Sequence, residues 1–91
     1  MNENEYRAYF PARARAAIEV LNRAGFDAYF VGGCVRDFYM NRMPHDFDIT
    51  TNAKSEDILR CFEREGLRAY PKGGACGTVG VGHADEEVEI T

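Results

Sequence analysis

Phe30-Val31-Gly32-Gly33-Cys34-Val35-Arg36-Asp37, then eight residues, then Asp46-Phe47-Asp48-Ile49-Thr50-Thr51 is the stretch that decides how this 91-residue chain reads. Ala28 to Val31 is a short apolar run closed by two glycines, the pattern of a buried strand entering a tight turn. A short helix is expected over 34–40, ended by Asn41, because Asn tolerates the left-handed conformation better than most residues. Arg42-Met43-Pro44-His45 reads as a loop, and Phe47-Asp48-Ile49-Thr50 as the next strand. Side chains alternate on a strand, so Asp46 and Asp48 share one face while Phe47 and Ile49 take the other. Two neighbouring carboxylates repel unless a cation neutralises them. Magnesium takes oxygen ligands in octahedral geometry and draws part of its shell from substrate phosphates. The Asp-x-Asp strand is therefore a platform for metal ions, although such a pair alone has low specificity. Gly32-Gly33 lets the backbone approach a ligand, and the helix that follows offers N–H groups suited to phosphate. A plain tight turn is the structural alternative. Arg36 can reach a phosphate or pair with Asp37, and both readings stand.

Outward from this centre, residues 1–9 read as polar and frayed. A helix is expected over 11–24, with Pro11 in its first turn, Phe10, Ala14, Ala17, Ile18 and Leu21 at helical spacing, and Gly25 as its stop. Ser55 can cap a helix whose first turn holds Glu56 and Asp57, whose apolar stripe is Ile58, Leu59 and Phe62, and which Gly66 ends. Leu67 to Tyr70 reads as a strand and Pro71 to Gly74 as a loop. Thr78–Gly82 and Glu87–Thr91 read as a hairpin turning through His83-Ala84-Asp85-Glu86. Along it, Gly80 and Gly82 alternate with Val79 and Val81, and Glu87 and Glu89 with Val88 and Ile90. One face of the hairpin is thus bare glycine with glutamate beside it, leaving room for a ligand or forming a solvated face. If Glu89 lies beside the Asp strand, the carboxylates become a triad. Strands and helices mix without regular alternation, so the fold class is α/β or α+β with a mixed sheet.

Composition sets outer bounds. Hydrophobic residues make up 45% of the chain and charged residues 29%, a globular balance for one small domain. Net charge is −4, and its distribution is uneven: residues 1–45 hold six basic and five acidic side chains, residues 46–91 five basic and ten acidic. There is no basic face of the kind that grips a phosphate backbone, and clustered carboxylates suit divalent cations better. Asp85-Glu86-Glu87 reads as a solvated acidic face. Cys34, Cys61 and Cys76 form no CxxC pair, which supports neither a zinc site nor a disulfide framework and leaves buried reduced thiols. His45 and His83 belong to no ligand motif. No apolar run approaches the roughly 20 residues of a membrane span, and the first residues lack the pattern of a signal peptide, so a cytoplasmic protein is expected. Val88-Glu89-Ile90-Thr91 reads as strand with no turn after it. That predicts a piece of a longer chain, in which the last strand shows an edge that further residues would cover, leaving the piece less stable or self-associating through that edge.

The combined motif closely resembles the head domain of class II tRNA nucleotidyltransferases (CCA-adding enzymes) and bacterial poly(A) polymerases, within the polymerase β-like nucleotidyltransferases. Gly77-Thr78-Val79 and Val88-Glu89-Ile90-Thr91 also match in order, and the resemblance runs from about Arg13 to Thr91. It implies a mixed sheet flanked by helices, with residues 1–91 as the N-terminal part of a catalytic head. It also implies a reaction, attack of an RNA 3′-hydroxyl on the α-phosphate of a nucleoside triphosphate. By position, Asp46 and Asp48 would hold two Mg²⁺ ions, Gly32, Gly33 and Arg36 would touch the triphosphate, and Glu89 resembles the third acidic position. The implied partners are ATP, CTP and the tRNA 3′ end. The family commonly has Gly where Asn41 stands and often Pro near Ser55, both loop or helix-start positions. Its Arg-Arg-Asp motif, its nucleotide-selecting Glu-Asp-x-x-Arg motif and its neck, body and tail helices are not in this sequence. A non-catalytic nucleotide- or metal-binding module is the competing reading. A stand-alone nucleotidyltransferase acting on a protein or small molecule is a weaker one, because such enzymes usually carry Gly-Ser before the Asp pair.

Overall fold

The computed structural model describes residues 2–42, 47–73, 77–82 and 87–91. Their elements run in the order α1 (Glu3–Tyr9), α2 (Ala12–Arg23), β1 (Ala28–Val31), α3 (Gly33–Tyr39), β2 (Phe47–Thr51), α4 (Ser55–Arg64), β3 (Ala69–Gly73), β4 (Thr78–Val81) and β5 (Val88–Ile90). The strands form one mixed sheet in the order β1-β2-β5-β4-β3. β2 and β5 are parallel, and the other three neighbouring pairs are antiparallel.

Alternation along the strands separates the two faces of this sheet. Ala28, Phe47, Ile49, Val79, Val81, Val88 and Ile90 are buried on one face. They form one core with Ala14, Ala17, Val20 and Leu21 of α2 and with Ile58, Cys61 and Phe62 of α4. Burying each large side chain of this set contributes about 1.5–3 kcal/mol. The other face carries Tyr29, Val31, Asp48, Thr50, Glu89, Gly80 and Tyr70. This is the face on which polar chemistry is possible.

The mixed α/β organisation, the helix after Pro11, the strand–glycine–helix unit and the β4–β5 hairpin match the expectations from sequence. Asn41 takes the left-handed conformation at φ 57°, as its place after α3 requires. The loop residues Met43, Pro44 and His45 and the turn residues 83–86 lie outside the described residues.

Four expectations are corrected. Residues 3–9 are helical rather than frayed. The Asn2 side chain accepts a hydrogen bond from the Glu5 N–H at 2.8 Å and caps α1. Tyr6 and Phe10 then pack on Phe30 of β1, with Phe10 and Phe30 stacked at 4.0 Å, while Tyr9 meets Phe38 edge to face at 5.0 Å. Second, Pro71, Lys72 and Gly73 are strand, not loop. β3 is an edge strand, where a proline's missing N–H leaves no ladder bond unmade. Third, Ser55 does not cap α4. Lys54 occupies the cap position, and the Ser55 hydroxyl donates to the Gly77 carbonyl at 2.6 Å, tying α4 to the start of β4. Fourth, the last strand is not an edge. β5 sits between β2 and β4, so the self-association expected through its edge loses its basis; the sheet edges are β1 and β3.

Candidate active site

The register of β2 against β5 builds the site. Phe47 pairs with Val88, Asp48 with Glu89 and Ile49 with Ile90. Phe47, Ile49, Val88 and Ile90 are buried, so alternation turns Asp48 and Glu89 to the opposite face together. Their backbones are neighbours at roughly 4.8 Å, the spacing of adjacent strands. Glu89 thus lies beside the Asp strand. Asp46 lies outside the described residues, and among the described residues no three His, Cys, Asp or Glu side chains gather closely enough to hold a metal ion.

β1 ends against this pair. Val31 is the register partner of Asp48, and Gly32 follows at φ 79°, ψ −143°, a conformation that side-chain-bearing residues rarely adopt. A Cβ on Gly32 would lie 3.3 Å from Asp48 Oδ2. The first glycine therefore does two things: it makes the turn into α3, and it lets the backbone lie directly against the carboxylate. Gly33 opens α3, and the Arg36 guanidinium folds back to within 3.4 Å of where a Gly33 Cβ would be. Arg36 also faces Asp37 at 3.8 Å while remaining 72% exposed, so both of its possible roles stay available.

Behind the glycines, Cys34 is buried and its thiol donates to the Val31 carbonyl at 3.3 Å. Burial pushes this thiol above its ordinary value, and the nearby Asp48 charge adds to the rise against backbone hydrogen bonds that oppose it. The Tyr9 hydroxyl donates to the Cys34 carbonyl at 2.7 Å, pinning the start of α3 from outside the sheet. Cys34 and Cys61 are both buried and unbridged; Cys76, His45 and His83 lie outside the described residues.

The far side of the site holds a cluster that sequence reasoning missed. Lys72 reaches Glu87 at 2.5 Å and Glu89 at 2.7 Å. The Tyr70 hydroxyl donates to the other Glu87 oxygen. Glu87 is therefore a largely buried, doubly held carboxylate, not a member of a solvated acidic face. Asp85 and Glu86 lie outside the described residues. The bare backbone at Gly80 is already used: a Cβ there would come within 2.9 Å of both the Tyr70 ring and Glu87. No spacing rule pairs Lys72 with Glu89 across three strands; the only signal was the alternation that puts Tyr70, Lys72, Gly80 and Glu89 on one face.

A model of the Poly A polymerase head domain family matches residues 28–91, which include Gly32, Gly33, Arg36, Asp48, Lys72, Glu87 and Glu89. The chain belongs to that family. It is 42% identical to the CCA-adding enzyme of Staphylococcus haemolyticus over 79 residues, 87% of this chain and 19% of that protein. It is 46% identical to poly(A) polymerase I of Haemophilus influenzae over 56 residues, 62% of this chain and 12% of that protein. Its fold superposes on the CCA-adding enzyme of Bacillus stearothermophilus, solved in complex with CTP, with a TM-score of 0.72 and 35% identity, covering the whole of this chain and 20% of that one. The head domain thus spans about a fifth or less of the length of these relatives.

Proposed function

We propose that this chain is the N-terminal part of the catalytic head of a template-independent RNA nucleotidyltransferase that adds CMP and AMP to the tRNA 3′ end. The observation that carries the reading is the Asp48–Glu89 register beside Gly32, in a chain 42% identical to a CCA-adding enzyme. In the reaction, the RNA 3′-oxygen forms a bond to the α-phosphorus of CTP or ATP, the bond to the β-phosphate oxygen breaks, and pyrophosphate leaves.

The donor set fits Mg²⁺. Asp48 and Glu89 offer only oxygen ligands on one face, and Gly32 puts no side chain between its backbone and the Asp48 carboxylate. Asp46 and Asp48 would hold the ions, with Glu89 as the third acidic group. Held there, magnesium supplies positive charge that eases ionisation of the attacking hydroxyl and offsets charge building on the departing pyrophosphate. Gly32 and Gly33 give the triphosphate a close approach to the backbone, and the exposed Arg36 guanidinium bonds its oxygens. The β2–β5 pairing fixes the backbone positions from which Asp48 and Glu89 reach the site, which limits the reorganisation needed as charge moves. Grip on tRNA and choice between CTP and ATP belong to residues outside this sequence, and the cytoplasm, where tRNA and both nucleotides meet, is the proposed place of action. No helix among the described residues is long and apolar enough to cross a membrane.

The experiment uses the intact gene product carrying this chain, with labelled CTP and ATP and a tRNA transcript lacking its terminal CCA. Incorporation by the wild type and its loss in Asp46→Ala and Asp48→Ala are expected; unimpaired incorporation by either variant overturns the metal roles. The 46% identity to a poly(A) polymerase favours one second reading, A-addition alone. A product ladder of A residues without C would establish it.

A further inference from the structure

We propose that Lys72 is a built-in counter-ion for Glu89 that a divalent cation displaces, and that Glu87 keeps the displaced amine. The proposal rests on the reading of Asp48 and Glu89 as metal-site carboxylates and adds how that site is held before an ion arrives.

Three observations converge on it. The Lys72 ammonium bridges Glu87 at 2.5 Å and Glu89 at 2.7 Å, so one cation already offsets part of the charge of the glutamate opposite Asp48. Tyr70, two residues before Lys72 on β3, pairs with Gly80, and Gly80 pairs with Glu89, so Lys72 reaches β5 across a glycine that puts no side chain in its way. Glu87 is anchored independently, by the Tyr70 hydroxyl and by the room that Gly80 leaves for both groups. The two glutamates are therefore unequal. Glu87 is packed in place with a side chain 12% exposed, whereas the Glu89 side chain is 44% exposed.

A divalent cation at Glu89 would stand within a few ångströms of the Lys72 ammonium, and two like charges that close repel strongly at a half-buried site. Glu89 can hold one or the other. Because Lys72 already touches Glu87, it can leave Glu89 and retain one charge-assisted partner. The charged and titratable groups facing Lys72 are Glu89 of β5, Glu87 just before it, and Tyr70 of its own strand; Asp48 stands one strand further on.

The test is Mn²⁺ binding, read as loss of the free-ion electron paramagnetic resonance signal, on the purified intact gene product carrying this chain. Lys72→Met should tighten binding roughly threefold, the scale of a partly exposed ion pair. Lys72→Arg should stay near the wild type. Arg64→Met removes the same charge from α4, on the other side of the sheet, and should change nothing. Glu87→Gln should weaken binding in the wild-type background and have little effect alongside Lys72→Met, because no amine then needs a second partner. Equal affinity of the wild type and Lys72→Met, an equal gain from Arg64→Met, or a Glu87→Gln effect of the same size in both backgrounds overturns the proposal and leaves the metal site standing. No Mn²⁺ binding by the wild type or by Lys72→Met overturns the metal-site reading and the proposal with it.

Discussion

Asp48 and Glu89 are direct register partners on parallel strands, forty-one positions apart in sequence and side by side in the sheet. Like charges directly opposite one another cost stability, and here the Lys72 ammonium at 2.7 Å offsets part of the Glu89 charge. Asp48→Asn should therefore leave the unfolding free energy in chelator within about 1 kcal/mol of the wild type. In the intact enzyme the same change should lower the rate of CMP transfer by roughly a hundredfold or more. Urea denaturation and single-turnover incorporation give the two numbers, and a large stability loss with retained transfer would reverse the assignment.

Gly32→Ala meets two obstacles at once: a backbone conformation at φ 79° and a Cβ 3.3 Å from Asp48 Oδ2. It should cost about 1–3 kcal/mol and also weaken divalent-ion binding, by displacing the carboxylate. Gly25→Ala is the matched control. Its φ is 93°, yet nothing lies within 4 Å of the added carbon, so it should lose stability without losing ion affinity.

Gly80→Ala should be harsher than a glycine-to-alanine change on an open strand face. The new methyl would press on the Tyr70 ring and on Glu87, an overpacking cost of about 1–3 kcal/mol. Combining it with Tyr70→Leu should recover part of that loss. A strictly additive double mutant in denaturant titrations would show that the two residues do not compete for the space.

Alkaline pH should destabilise the domain through its N-terminal region. Desolvation holds Cys34 above the ordinary thiol value of 9.0 and holds Tyr6 and Tyr9 above the ordinary phenol value of 10.0. A raised value means that the folded state keeps its protons longer than the unfolded chain does, so stability falls with rising pH in that window. The unfolding free energy should show no loss from these groups up to about pH 9, and then decline as pH rises through 9 and 10. Tyr9→Phe should make the decline shallower. A stability that rose between pH 9 and 11 would contradict the burial of these groups.

Much of this architecture was legible because local rules and tertiary demands agree. Gly32-Gly33 after an apolar run, and Val and Ile alternating with Glu, specify turns and faces from nearest neighbours alone. α1 was hidden because its charges dominate a local reading, while Tyr6, Tyr9 and Phe10, spaced three and four apart, take their meaning only from Phe30 and Phe38. Pro71 reads as a breaker in isolation and is acceptable on an edge strand, but edge status is a property of the whole sheet. The position of β5 and the reach of Lys72 are likewise set by strand order, which alternation does not encode. The carboxylate strand and the glycine turn were therefore visible in advance, and the salt-bridged cluster beside them was not.

The inserted position of β5 also has a consequence in time. The pairs β1–β2 and β3–β4 can each form from neighbouring sequence, yet they share no hydrogen-bonded border; β5 alone joins them. On a ribosome, both hairpin-like halves emerge before residues 88–90 do. β5 joins β4 locally, as a hairpin, but its parallel pairing with β2 brings together residues forty-one positions apart, a long-range step of the kind that slows folding. The nascent protein thus completes its sheet and its continuous hydrophobic layer late, and Asp48 and Glu89 become neighbours only at that step.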